Sequence, residues 1–460
     1  MHELHHIPPP NYLDMSFQEI TEDILGRFRS AGSRFRSAAL FLGVLFGVGL
    51  VAMVIRIASG GLDEENRSDW GYHAGTVAYI IITAQSAVLV SVALRMVKSH
   101  WRRPLSRVSE LFAAVGLLNF FLYLPLIWVL PVTDDRRSLW FEWPGHSAHL
   151  WDTISMGLLV VNGLALLYFA ALPDIATLRD QSGSEKNRLY SRLSLNWQGT
   201  KKQWKVLNMG VAILGGFYFL FLIFVHMMIS VDFSMSLIPG WKDAIYPTYH
   251  ALMGLQGGVA ILVVAMFVLK KTGASGEYIS VEHFWALSKI LLALSLLWFY
   301  FWWSGFYTYW YGRTPAEQSV LQLLMFETYR TPFLLSFVFS MALPFLTLVW
   351  NIVRKTIAGP TIAACFVLIG TMFSMIRIYV PAFSIEDPSG HALHGLPAAQ
   401  VPVMSDVLIA VGSIAGSVLV FMLAARILPV TSIWEIKEGR MLQRIKPLLK
   451  THVRIVGKPE

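Results

Sequence analysis

Charge is scarce in this chain and cysteine almost absent. Charged residues are 14% of its 460 positions, against roughly 25% in an ordinary soluble domain. Hydrophobic residues reach 55%, with mean hydropathy +0.54. These figures exclude a soluble enzyme, a disordered chain and a fibrous repeat. The single cysteine, Cys365, lies in an apolar run. One cysteine excludes an internal disulfide, a cysteine zinc site, a cysteine-ligated iron–sulfur cluster and a CxxCH haem attachment. A P-loop, a GxGxxG fingerprint, a His-rich metal motif and a Ser-His-Asp pattern are lacking too.

What the chain has instead is long apolar runs. Crossing a hydrocarbon core about 30 Å thick takes about 20 mostly apolar residues. Ten such runs lie near 38–58, 74–97, 108–131, 150–172, 206–230, 246–269, 284–308, 329–353, 361–381 and 405–428. Each is expected to be helical, since backbone exposed to lipid must satisfy its own hydrogen bonds. The first run lies too far from the start, with too few cleavage-site features, to be a removed signal peptide. The organisation expected is an N-terminal arm (1–37), a ten-helix membrane domain (38–428) and a basic tail (429–460).

The basic residues orient the spans. Of 37 Lys and Arg, 27 fall in the N-terminal arm, 98–107, 173–205, 270–283, 354–360 and the tail from 426. The alternate connections hold six: Arg67, Arg136, Arg137, Lys242, Arg313 and Arg330. Both termini are therefore expected in the cytoplasm. The net charge of +8 is a topology signal with a juxtamembrane basic tail (Arg440, Arg444, Lys446, Lys450, Arg454), not a nucleic-acid footprint. The outer connections are acidic (62–70) or rich in Trp, Pro and His (132–151; Pro388, His391, His394 and Pro397). That composition suits either a protein contact surface or an interfacial aromatic belt.

A weak internal repeat is visible. Gln85-Ser-Ala-Val in span 2 matches Gln256-Gly-Gly-Val in span 6, and spans 5 and 9 end in VDFS and PAFS, at an offset of ~150–170 residues. Such a parallel repeat implies two four-helix bundles, spans 2–5 and 6–9, flanked by spans 1 and 10.

Charges inside a membrane are costly and by default functional. Candidates are Arg56, Arg95, Glu110, Asp152, His226, Asp232, His250, Lys289, Glu327, Arg330 and Arg377. Arg56 and Arg95 sit near span ends, where snorkelling suffices. Glu110 starts span 3 near Arg103 and Arg107, as a cap or ion-pair partner does. Asp152 and Asp232 lie at one depth on adjacent spans 4 and 5. Two acids there can accept protons from a hydroquinone, or serve as a helix cap and a turn residue. Lys289, His250 and Arg377 offer further links of a proton path. His226 and His250 flank one tight outer connection, and with no second pair a bis-histidine haem is disfavoured.

Four blocks then resemble a known family. Residues 151–180 (with PDIATLRD), 230–254 (with IPGW), 287–317 (with WYGRTPAE) and 427–439 (with SIWEIKEG) resemble the NrfD/PsrC membrane subunits, above all the ten-helix quinol-oxidising subunit of alternative complex III. The resemblance implies two four-helix bundles with two flanking helices in a bacterial cytoplasmic membrane. It also implies a non-covalent quinone such as menaquinone near the outer face, and no haem or iron–sulfur cluster in this chain. The implied partners are an outer iron–sulfur or molybdopterin-like subunit, a multihaem cytochrome c and a second NrfD-like subunit. The family's acids fall on Asp152 (after Trp151) and Asp232, its lysine on Lys289 and its arginine on Arg377. Three family histidines are replaced here, by Trp128, Gln85 and Lys242. The first is a quinone partner in the family. The sites expected are therefore Asp152 and Asp232 as proton acceptors, with Trp128 and Trp151 beside the quinone. Gln85, Glu110, His250, Lys289 and Arg377 would line the proton path. Three readings stay open: a quinol-oxidising subunit, a quinone-free anchoring or proton-conducting subunit of such a complex, and a secondary transporter.

Overall fold

The computed structural model describes residues 14–30, 32–132, 138–140, 147–181, 184–448 and 451–456. Arg136, Arg137 and Lys450 lie outside the described residues. Ten helices are long and apolar enough to cross a membrane: Ser33–Gly60, Glu64–Met96, Arg103–Val129, Ala148–Gln181, Lys201–Leu237, Tyr246–Lys271, Val281–Gly312, Arg330–Leu348, Ala358–Ser384 and Met404–Ile427, spans 1 to 10. The protein is an all-α integral membrane protein. Outside the spans, Gln443–Leu448 pairs antiparallel with Thr451–Val456, a departure from helix that the sequence does not foretell. An amphipathic helix, Phe17–Arg29, precedes span 1, and its first turn is closed by a Ser16/Glu19 capping box. It meets the helix Ile433–Met441 that follows span 10, so both ends of the chain gather on one face, here the terminal face. The opposite side is the far face.

Spans 2–5 and spans 6–9 form two four-helix bundles, joined where spans 2 and 5 pack on spans 6 and 9. The join is close because span 6 is bare there. A Cβ on Gly258 would stand 2.6 Å from the Ser86 carbonyl carbon, and one on Gly257 2.8 Å from the Ile82 oxygen. The facing stretch of span 2 is a π-turn, Ile81–Gln85. Such turns widen a helix and free carbonyls from the regular ladder. The repeat detected in sequence has a physical counterpart. Buried Gln85 accepts from Asn119 of span 3 at 2.9 Å, and buried Gln256 donates to Ser295 of span 7 at 3.0 Å. Each glutamine thus ties the first helix of its bundle to the second.

Spans 1 and 10 pair with each other along one side of this core. A Cβ on Gly49 would lie 2.7 Å from the Gly412 Cα, so the two backbones touch, as small residues permit between membrane helices. Above that crossing Arg56 is buried rather than snorkelled, because Asp406 of span 10 lies 2.6 Å from its guanidinium and the Asp69 carbonyl accepts at 2.7 Å.

The terminal face is closed by an ion network. Arg95 meets Glu110 at 2.8 Å and Glu435 at 2.7 Å; Arg102 meets Glu435 at 2.7 Å; Arg107 meets Glu110 at 3.3 Å and Asp174 at 3.1 Å; Arg103 meets Glu438 at 3.0 Å. The Trp434 N–H and Ser432 hydroxyl also donate to Asp174. Arg95 is therefore paired, not snorkelled. The PDIATLRD and SIWEIKEG blocks are the two halves of this one contact. The other two blocks meet on the far face, where Gly240 of IPGW (φ +83°) lies against Ala316 of WYGRTPAE.

Candidate functional site

A chain of buried side chains crosses the join between the bundles. It begins at Ser86, just past the π-turn of span 2, whose hydroxyl lies 2.8 Å from the Ile81 carbonyl. Ser86 Oγ is 3.0 Å from His226 Nε2 of span 5. His226 Nδ1 is 3.0 Å from His250 Nδ1 of span 6, and His250 Nε2 is 2.9 Å from the Tyr379 hydroxyl of span 9. Tyr379 also faces Tyr246 and Ser234, which share a 3.1 Å hydrogen bond at the far end. Each of these six residues is buried. The glycines of span 6 make room: a Cβ on Gly254 would stand 2.4 Å from His226 Nε2.

One consistent placement of the hydrogens follows from the Ser86–Ile81 contact. Ser86 has one proton and gives it to Ile81, so it must accept from His226 Nε2–H. His226 Nδ1 is then an acceptor, and His250 Nδ1–H donates to it. His250 Nε2 is left to accept from the Tyr379 hydroxyl. Every group is satisfied with both imidazoles neutral. The reversed placement, with Ser86 donating to His226, His226 to His250 and His250 to the Tyr379 oxygen, also keeps both imidazoles neutral.

Of the residues expected on a proton path, His250 is in this chain. Arg377 is buried close by, facing Tyr249 and Tyr246, with its guanidinium 5.5 Å from the Phe333 ring centre. Gln85 adjoins Ser86 and accepts from the Tyr218 hydroxyl through its backbone carbonyl at 2.7 Å. Glu110 lies apart, in the ion network. Lys289 is exposed on span 7, with its ammonium 4.0 Å from the Trp285 ring centre, because a lysine two turns from a helix end reaches the interface more cheaply than it finds a buried partner. Glu327 and Arg330 are exposed as well.

The two acids expected to take protons are both fully buried. They converge on one short stretch of far-face chain: the Leu139 N–H donates to Asp232 and the Trp140 indole N–H to Asp152, each at 2.7 Å. Trp151 stands 6.1 Å from Trp140, ring to ring. Trp128 is 71% exposed. A histidine placed there would therefore stand on the outer surface of span 3. Beyond span 5, Asp243 caps span 6 through the N–H groups of Ile245 and Tyr246. Burial pushes its carboxyl above the usual range against the pull of those donors.

In the sequence His226 and His250 count only toward a bis-histidine haem, which the tight connection between them and the lack of a second pair disfavour. The signal that finds the pair is spacing. His226 and His250 each lie 12 residues from Ile238, and a tight connection between antiparallel helices places equidistant residues at one depth. His73, buried with Nε2 2.7 Å from the Leu122 carbonyl, was missed as well. Among the described residues no group of three His, Cys, Asp or Glu side chains is placed to hold a metal. No family model matches the chain, and no curated protein matches it.

Proposed function

We propose that the chain is the proton-conducting membrane subunit of a quinol-oxidising electron-transfer complex resembling alternative complex III. Its setting is a bacterial cytoplasmic membrane. An iron–sulfur or molybdopterin-like subunit sits on the far face, with a multihaem cytochrome c and a second NrfD-like subunit beside it. Quinol oxidation yields two protons and two electrons. The electrons pass to the partner's cluster, and this chain handles protons. The observation that carries the reading is the Tyr379–His250–His226–Ser86 chain. Titratable groups inside a membrane are expensive, and their default role is an ion or proton path. A purely structural bond between spans 5 and 6 needs one donor and one acceptor, not a reversible row through four helices. The test is the complex in liposomes. Tyr379→Phe removes only a hydroxyl; with His250→Phe it is expected to abolish proton movement, read with a trapped pH dye, while quinol turnover in detergent stays within about twofold. Proton movement at the parental rate in both variants would refute the reading.

A second reading has its own support: the convergence of Asp152 and Asp232 on Leu139 and Trp140. There the quinol is held by this chain at the far face, and the two carboxylates take its protons. Asp152→Asn keeps the Trp140 bond but cannot accept a proton, so turnover is expected to fall about a hundredfold with assembly retained. Normal turnover with both acids changed to Asn would place quinol chemistry in another subunit.

A further inference from the structure

A cavity of about 820 Å³ lies between the span 1/span 10 pair and spans 2, 3 and 6. It does not touch the histidine chain or the acid pair. Along span 6 its lining runs from Ile261 to Thr272, and along span 10 from Ile414 to Arg426. Eleven or twelve helical residues rise ~16–18 Å, the depth of one leaflet of a core about 30 Å thick. The slot therefore starts at the terminal face and stops near the midplane.

Its chemistry is split by depth. The deep walls are apolar, with Phe112, Val264 and Phe421 among them. The mouth carries four cations, Arg27, Arg34, Lys271 and Arg426, and no carboxylate lines any part of the slot. Two of these cations are fixed by the fold: Arg27 donates to the Gly273 carbonyl at 3.0 Å and pairs with Asp23, and Arg426 donates to the Phe28 carbonyl at 2.7 Å. Arg34 and Lys271 are exposed. An apolar slot one leaflet deep under a cationic rim matches an acyl chain beneath a phosphate. Basic pockets between membrane helices on the cytoplasmic side take anionic head groups in this way.

We infer that this slot holds one anionic phospholipid of the terminal-face leaflet, its phosphate held by the Arg27/Arg34/Lys271/Arg426 rim and an acyl chain laid between spans 6 and 10. The lipid then wedges the span 1/span 10 pair to the core.

The test is the whole complex stripped of lipid in detergent and titrated in mixed micelles, with thermal midpoint as readout. Phosphatidylglycerol is expected to raise the midpoint saturably, and phosphatidylcholine and inorganic phosphate to leave it unchanged. The double variant Arg34→Gln/Lys271→Gln removes only the exposed cations and is expected to need about tenfold more phosphatidylglycerol for the same rise. Ala265→Phe, which fills the slot, is expected to abolish the rise with the rim intact. Equal shifts from phosphatidylcholine, the same shift from phosphate alone, or an unchanged titration in the double variant would each overturn the inference. So would a quinone that saturates the slot in place of the lipid and does so equally in the double variant.

Discussion

Glu435 shows how far a residue's role can lie from its neighbourhood in sequence. Burial pushes its carboxyl up, but Arg102 and Arg95, with Arg107 behind them, pull it further down, from 4.5 to about 2. A depressed folded value means that the stabilisation is complete above the ordinary carboxylate range and is lost as pH falls through the folded value. The helix Ile433–Met441 is therefore expected to stay docked at neutral pH and to release between about pH 4.5 and 2, read as protease access to the tail. Glu435→Gln strands Arg102, leaves Arg95 with Glu110 alone and is expected to cost about 3 kcal/mol, with the tail already loose at pH 7. Nothing in the local sequence marks this glutamate. Its partners are over 300 positions away, and the pairing becomes visible only once spans 2 and 3 are side by side. The same holds for Asp406, whose partner Arg56 lies at the other end of the chain. Asp152 and Asp232 were legible because a tryptophan and a proline-glycine turn place them at span ends. His226 was visible as a residue but not as a partner of His250.

At the scale of helices, the ten spans were readable because hydrocarbon thickness dictates their length. Their grouping into two bundles followed from the glutamine repeat. The pairing of span 1 with span 10 was not readable, since Gly49 and Gly412 are ordinary glycines until each is seen against the other's backbone. The same is true of span 6, whose Gly254, Gly257 and Gly258 let it lie against the π-turn of span 2. Gly258→Ala forces a Cβ into the Ser86 backbone and is expected to cost about 1–3 kcal/mol, seen as a lowered thermal midpoint in detergent. Gly216→Ala on span 5, where a Cβ meets nothing within 4 Å, is the matched control and is expected to leave the midpoint unchanged.

For the molecule as a whole, the asymmetry of basic residues predicts a terminal face in the cytoplasm. In a Cys365→Ser background, a cysteine at exposed Ser389 on the far face is expected to react with an impermeant maleimide in intact cells. One at exposed Lys205 is expected to react only after lysis. The reverse pattern would invert the topology. Each face carries one contact between distant stretches of chain: Asp174 with Trp434 on the terminal face and Gly240 with Ala316 on the far face.

The closing of the terminal face has a consequence in time. Arg95, Arg102, Arg103 and Arg107 are all made early, from the end of the second span to the start of the third, yet two of their four carboxylates, Glu435 and Glu438, are translated after the tenth. While the ribosome is still at work, the first bundle holds surplus positive charge that only Glu110 and Asp174 offset. The last two carboxylates of the network join it only once translation has passed residue 438. A chain cut short after its last span would contain every membrane helix and still present an unbalanced arginine cluster to the quality-control proteases of the membrane.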